Sequence, residues 1–222
     1  PAGDPALPCS YSADHLLGKE VCKLKLQSEL GFAVRVQAPL FAVVSRLTSQ
    51  KGMDLVLRAL PALLAEGGQL VVIGSGDAEI EAGFRAAAAA HGEAVSVHFG
   101  YDDAFAHRII AAADLLLVPS RFEPCGLTQL YALRYGTLPL VRRVGGLADT
   151  VIDATPENLT LGTANGFVFH AASSRALAAR ASDACKLFRH PGRWLQVQKC
   201  GMAQDFSWAD SAVRYEALYR SI

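Results

Sequence analysis

Short apolar runs alternate with helix-length segments from Pro39 onward, and this alternation limits the possible folds more than any other feature of the sequence. The runs are mostly apolar and rich in branched residues, as in Leu40–Ser45 and Leu115–Pro119. Strands that are buried on both faces have this composition, and parallel strands need crossover connections that are usually helical. The alternation therefore predicts an α/β fold with a doubly wound parallel sheet of about six strands.

The predicted elements follow from the same pattern. Strands are predicted over Leu40–Ser45, Gln69–Ile73, Val95–Phe99, Leu115–Pro119, Leu138–Arg142 and Gly166–Phe169. Helices are predicted between them over Met53–Leu64, Ala78–His91, Asp103–Ala113 and Gly126–Tyr135. Three C-terminal helices, over Ser173–Phe188, Trp194–Gln204 and Trp208–Tyr219, follow the last strand.

Three segments are predicted in the domain organisation. Residues 1–38, with a helix predicted over Asp14–Leu30, are interpreted as an interdomain lead-in, and residues 39–205 as one Rossmann-like domain. Residues 206–222 hold the last helix, which has an apolar stripe that includes Trp208 and Tyr215. This stripe indicates either a helix that covers the sheet or one that crosses to another domain.

The charge balance limits the classes of partner. Lys and Arg number 21, and so do Asp and Glu. Proteins that bind nucleic acid or membrane surfaces need an excess of positive charge, so neither partner is predicted. Pro1–Ser10 lacks the pattern of a signal peptide, and no apolar run approaches the roughly 20 residues of a membrane span. Five irregularly spaced cysteines indicate neither a zinc site nor disulfides, so a cytoplasmic protein is expected.

The segment after the first predicted strand carries two cations in a short loop. Ligands of open parallel sheets bind at the carboxyl ends of the strands, where Arg46 and Lys51 precede a helix. Arg offers a bidentate fork, Lys offers a point charge, and the end of the helix adds N–H donors. The loop is therefore interpreted as a diphosphate site, the alternative being ordinary solvated charges.

The segment after the fourth predicted strand, Ser120–Gln129, combines a carboxylate with a helix start. Glu123 precedes Pro124, which restricts the backbone before it, and Gly126 is expected to open the helix. A carboxylate beside free amides suits a sugar phosphate, because the amides bind phosphate and the carboxylate binds hydroxyls or developing positive charge. The alternative is that Glu123 is only a favourable charge at a helix N-terminus.

Three more segments belong to the same edge of the predicted sheet. Gly74–Asp77 lacks the third glycine of a dinucleotide fingerprint, and Gly145–Thr150 could let the backbone approach a ligand. Tyr101 could stack on a base, although an ordinary core or surface tyrosine fits equally well. Cys125 is interpreted as a small residue rather than a nucleophile. No Asp-x-Asp pattern occurs, so no metal or other cofactor is predicted.

Together these motifs resemble the C-terminal domain of bacterial glycogen synthases and plant starch synthases. The resemblance rests on Ser45–Gly52, Ser120–Tyr131 and Gly145–Val151, and extends from about Pro39 to the end. It implies one half of a GT-B fold that takes part in metal-independent transfer of glucose from ADP-glucose to the non-reducing end of an α-1,4-glucan, with retention of the anomeric configuration. Many relatives outside this group have a second Glu where this chain has Tyr131.

The resemblance also implies roles for individual residues. Arg46 and Lys51 would hold the diphosphate and stabilise the leaving ADP, and Glu123 would contact the glucosyl unit and favour its cation-like transition state. The other implied substrate contacts are Tyr101 on adenine, Cys125 and Gly126 on sugar hydroxyls, Thr128 and the nearby amide of Leu127 on phosphate, and Gly145 and Gly146 near the same ligand.

One departure from the family pattern matters. The family's N-terminal domain carries a Lys-Gly-Gly-Leu motif and a catalytic His, and Val144 precedes the only similar stretch here. The chain is therefore expected to be the donor-binding half, which binds nucleotide without turnover, while the glucan binds mainly to the absent half. The last helix would return to that half. A nucleotide-binding or regulatory module without transferase activity remains the alternative, and an incomplete glycine fingerprint disfavours an NAD-dependent dehydrogenase.

Overall fold

The computed structural model describes residues 1–220, apart from the side chains at positions 210, 211 and 214. Its six strands form one sheet in which every neighbouring pair is parallel. They are β1 (Leu40–Val44), β2 (Gln69–Gly74), β3 (Val95–Phe99), β4 (Leu115–Val118), β5 (Leu138–Arg142) and β6 (Phe167–Phe169), in the spatial order β3-β2-β1-β4-β5-β6. This confirms the predicted doubly wound, Rossmann-like α/β fold.

Helices cover both faces of the sheet. They are α1 (Leu17–Glu29), α2 (Met53–Ala65), α3 (Ala78–Ala90), α4 (Asp103–Ala112), α5 (Thr128–Arg134), α6 (Gly145–Thr150), α7 (Pro156–Leu161), α8 (Ser174–Phe188), α9 (Pro191–Met202) and α10 (Trp208–Arg220). Successive side chains of β1 enter opposite layers, because Phe41 packs with α2, α3 and α8 while Ala42 packs with α1 and α4. All strands except the edge strand β3 are buried along nearly their whole length, which explains their mostly apolar sequences, whereas β3 is only partly buried.

Several helix boundaries differ from the prediction. Helix α5 begins at Thr128 and not at Gly126, because Gly126 has a φ of 77° that an α-helix cannot contain. Helix α9 begins at Pro191, three residues before the predicted start, since proline fits the first turn of a helix. The short helices α6 and α7 were not predicted as helices.

The N-terminal segment packs on the sheet domain through its own core residues. Tyr11, Cys22 and Leu26 are almost fully buried in the layer that also contains α4. The Tyr11 hydroxyl donates a hydrogen bond to the Tyr135 carbonyl at 2.8 Å. Helix α1 is therefore fixed against the end of the sheet where the strands begin.

The apolar stripe of α10 lies on the surface. Trp208 is 78% exposed and Tyr219 72% exposed, and Val213 and Tyr215 are also exposed. The stripe leaves these residues available to another surface instead of burying them on the sheet. Residues 221 and 222, at the end of the predicted segment 206–222, lie outside the described residues.

Within residues 1–220 no helix is both long and apolar enough to cross a membrane. Over the same residues, no three His, Cys, Asp or Glu side chains form a group that could hold a metal ion.

Candidate active site

The β1–α2 and β4–α5 loops lie side by side at the point where the strand order of the sheet reverses. β1 and β4 are neighbours, and the helices that follow them lie on opposite faces, since Met53 of α2 and Ala132 of α5 belong to different core layers. The two loops therefore diverge and leave a crevice at the carboxyl ends of the strands. This is the position at which doubly wound sheets bind their ligands.

An ion pair joins the two loops across this crevice. The Lys51 ammonium lies 2.6 Å from Oε2 of Glu123, and the Ser120 hydroxyl donates to the same oxygen at 3.0 Å. The Glu123 side chain is 9% exposed and that of Lys51 is 20% exposed. The structure thus brings together two residues that the sequence motifs placed 72 positions apart.

Close backbone contact keeps the two loops in register. Gly52 has a φ of 74°, and a Cβ atom there would overlap the Pro119 carbonyl oxygen. The Arg121 N–H donates to the Gln50 carbonyl at 2.8 Å. Only glycine satisfies both the positive φ and the close approach, so this position sets the distance between the cationic loop and the Glu123 loop.

Two arginines that the sequence reasoning did not single out brace the Glu123 loop. The Arg121 guanidinium donates to both carboxylate oxygens of Asp54, at 2.6 and 2.9 Å, and these hydrogen bonds hold the pKa of Asp54 below its usual range. Arg142 donates through Nε to the Ser120 carbonyl at 2.8 Å and through Nη2 to the Arg121 carbonyl at 2.6 Å. Both guanidiniums are therefore engaged in positioning the loop.

Helix α6 contacts the backbone of Glu123, in addition to the contacts that Lys51 and the two arginines make with this loop. Gly145 has a φ of 45°, and a Cβ atom there would overlap the Glu123 carbonyl oxygen. The Gly146 N–H points at the same carbonyl, 3.3 Å away. The sequence predicted that Gly145 and Gly146 let backbone approach a ligand, and the structure shows that they let backbone approach the Glu123 loop.

The remaining predicted site residues are mostly on the surface. Arg46 is exposed and makes no side-chain hydrogen bond within residues 1–220. Cys125 and Leu127 are exposed, and Gly126 and Thr128 are half-buried at the entrance to α5. Buried Gln129, which the motif contains without an assigned role, donates to the Cys125 and Gly126 carbonyls at 3.1 and 2.9 Å and so fixes this turn.

Tyr101 follows the edge strand β3, two strands away from β1, and makes none of the contacts that join the loops. It is 86% exposed, and its hydroxyl donates to the Asp103 carboxylate at 2.8 Å, which raises the pKa of Tyr101. The Tyr101 ring is therefore exposed to solvent after the carboxyl end of β3.

Comparisons with known proteins agree with this architecture. The model of the family described as glycosyl transferases group 1 matches residues 32–193. Glycogen synthases from Yersinia pestis (strain Pestoides F) and Serratia proteamaculans (strain 568) are each 55% identical over all 222 residues, which correspond to 47% and 46% of their own lengths. The chain thus spans about half the length of these relatives.

A solved structure shows the same relationship in three dimensions. The catalytic domain of starch synthase IV from Arabidopsis thaliana, bound to ADP and acarbose, superimposes with a TM-score of 0.91 at 36% identity. The match covers 100% of this chain and 46% of that one. The six-stranded parallel sheet with its flanking helices resembles the C-terminal half of a GT-B fold, and the chain belongs to the group 1 glycosyl transferases as a homologue of the glycogen synthases.

Proposed function

We propose that this chain is the donor-binding half of an enzyme that transfers glucose from ADP-glucose to the non-reducing end of an α-1,4-glucan with retention of configuration. The observation that carries the proposal is the Lys51–Glu123 pair at the crevice between the β1 and β4 loops. In this proposal the Lys51 ammonium binds a phosphate of the donor and the neighbouring Glu123 carboxylate binds its sugar. We also propose that the reaction takes place in the bacterial cytoplasm, a proposal supported by the bacterial source of these relatives and by the irregularly spaced cysteines of the chain.

The cations of the first loop would bind the diphosphate of the donor. Arg46 is exposed beside the crevice, and the ammonium of Lys51 has three protons to donate while Glu123 accepts one of them. Lys51 can therefore bridge the carboxylate and a phosphate oxygen. As the bond between glucose and phosphate breaks, negative charge accumulates on the departing ADP, and both cations stabilise it. In this proposal they fill the role that a metal ion has in other sugar transferases.

The carboxylate of Glu123 would act on the sugar. Its contacts with Lys51 and Ser120 engage Oε2. The second oxygen is then available to a glucosyl hydroxyl or to the positive charge that develops on the sugar ring in the transition state. The backbone of Cys125 and Gly126, fixed by Gln129, would bind further hydroxyls, and the segment around Leu127 and Thr128 would bind phosphate.

The rest of the substrate would reach beyond the crevice. We assign adenine to Tyr101, whose exposed ring can stack on a base at the edge of the sheet. The acceptor glucan would bind mainly to the other half of the enzyme. The exposed stripe of α10, with Trp208 and Tyr219, is the surface that we assign to contact with that half.

Calorimetric titration of the chain with ADP, ADP-glucose, UDP and NADH tests the donor site. We expect the affinities for ADP and ADP-glucose to be at least about tenfold higher than the affinity for NADH. The reason is that the site contains cations for a terminal or sugar-linked diphosphate but lacks the complete glycine fingerprint of dinucleotide-binding sites. The difference in affinity between ADP and UDP measures how much the base contributes to binding. Preferential binding of NADH would instead indicate a dehydrogenase-type site and would contradict the proposal.

The isolated chain is expected to bind donor without elongating glucan. Catalysis in this mechanism requires a second half that positions the acceptor and excludes water from the crevice. Incorporation of labelled glucose into glycogen by the purified chain, compared with a full-length homologue, measures this directly. Turnover by the chain at a rate comparable with the homologue would show that Glu123, Arg46 and Lys51 suffice without the other half.

A further inference from the structure

A cavity of about 660 Å³ lies at the end of the sheet where the strands begin, opposite the end that carries Lys51 and Glu123. Helix α1 forms one wall, the corner between α8 and α9 forms the other, and Asp114, directly before β4, is at the floor. The apolar lining includes Leu16, Phe188 and Leu195. The volume is within the range of pockets that bind small molecules.

The floor of this cavity carries unbalanced buried charge. Lys19, Lys23 and Asp114 line it, and each is less than a tenth exposed. Lys23 lies 2.6 Å from the Asp114 carboxylate and also donates to the Val36 carbonyl. Within residues 1–220, Lys19 donates only to neutral oxygens, the Ala111 carbonyl at 2.9 Å and the Thr137 hydroxyl at 2.6 Å. Two ammonium groups therefore share one carboxylate.

The surroundings of Lys19 do not supply the missing negative charge. The pKa of Lys19 is lowered to about 7, mainly by burial. Asp114 and Cys22 raise this pKa, and Lys23 lowers it further. The Tyr11 ring lies 5.9 Å from its ammonium. The other charged groups that line the cavity are exposed: Asp14, Glu20, Arg189 and Lys199, of which Arg189 pairs with Glu66 at 2.8 Å.

We propose that this cavity binds a small monocarboxylate with an apolar body. The carboxylate would lie against Lys19 and stabilise its protonated form, because the Asp114 carboxylate at the floor already pairs with Lys23. The apolar body would lie between α1 and α9, against Phe188 and Leu195. A neutral ligand would leave Lys19 unpaired, and a dianion would exceed the single positive charge that the floor offers.

The pair 3-phenylpropionate and 3-phenylpropionamide tests this proposal, because the two probes differ mainly in charge. In calorimetry at pH 7 we expect the carboxylate to bind at least about tenfold more tightly than the amide, the effect of one charge-assisted hydrogen bond. Binding should also take up protons, visible as a dependence of the heat on the ionisation enthalpy of the buffer, because the bound carboxylate favours protonated Lys19.

Three variants separate the cavity from other sites. Lys19→Met should abolish the preference for the carboxylate, and Leu195→Trp, which narrows the cavity without changing its charge, should weaken both probes. Asp149→Asn should leave binding of both probes unchanged, because Asp149 is an exposed carboxylate on α6 that does not line the cavity. If Lys19→Met does not fold, Leu195→Trp decides. Equal affinity for the two probes, no binding of either, or carboxylate binding that persists in the cavity variants would overturn the proposal.

Discussion

Replacing Glu123 with glutamine is expected to lower the kcat of the complete enzyme by about a hundredfold while changing donor affinity less than about tenfold. The proposed role of the carboxylate is to stabilise positive charge that exists on the sugar only in the transition state. Glutamine has nearly the same shape but no charge. The ground-state complex, which depends on the diphosphate contacts, should therefore form almost normally.

The structure makes this substitution a clean test of charge. The Glu123 loop is held by the contact of its carbonyl with α6 and by the hydrogen bonds that Arg142 makes to neighbouring carbonyls. None of these contacts uses the Glu123 side chain. Glutamine can still accept a hydrogen bond from Ser120, so the loop should keep its position.

Steady-state kinetics with ADP-glucose and glycogen, together with calorimetric donor affinity, measure the effect in a full-length homologue that carries the same motif. Asp149→Asn is the matched control, since Asp149 is an exposed carboxylate on α6, the helix that supports the Glu123 loop, and should change neither quantity. Small and equal losses of kcat and affinity in Glu123→Gln would reduce Glu123 to a favourable charge near a helix start, the alternative that the sequence left open.

Most of the sheet could be predicted from the sequence because every strand except the edge strand β3 is buried on both faces. The predicted ends of β3 and β5, at Phe99 and Arg142, are the observed ends of these strands. Short helices depend on distant contacts instead. Helix α6 packs beside the Glu123 loop, and no local sequence pattern predicts this contact. Helix α7 did carry a local signal, since Thr155 caps it and Pro156 opens it.

The site was predictable only in part, for a related reason. Motifs identify the residue types that suit phosphate and sugar chemistry, and this drew attention to Lys51 and Glu123. They do not show what holds those residues in place. The pairing of Arg121 with Asp54 and the contacts of Arg142 form only after β1, β4 and β5 have assembled. Likewise Lys19, an ordinary charge on a helix in the sequence, becomes buried only when α1 packs on the domain.

Replacing Lys51 with alanine should weaken binding of ADP to the chain by about tenfold to a hundredfold, because one charge-assisted hydrogen bond to phosphate contributes about 1.5–3 kcal/mol. Calorimetric titration of the folded variant measures this loss. Lys25→Ala is the matched control, since Lys25 is an exposed lysine on α1, which packs at the end of the sheet opposite the crevice. Unchanged affinity for ADP in Lys51→Ala would remove Lys51 from the donor site.

The same substitution should also destabilise the chain, because it leaves Glu123 largely buried with only the Ser120 hydroxyl as a partner. The effects on stability and on ADP binding can be separated by comparing Lys51→Ala, Glu123→Gln and the double variant that carries both substitutions. Denaturant unfolding measures the stability of each variant, and calorimetric titration measures its affinity for ADP. Once Glu123 is neutral, loss of Lys51 should cost little stability, whereas the loss of ADP affinity should remain. If the affinity loss also disappears in the double variant, Lys51 acts on the nucleotide only by positioning Glu123, and the direct phosphate contact is wrong.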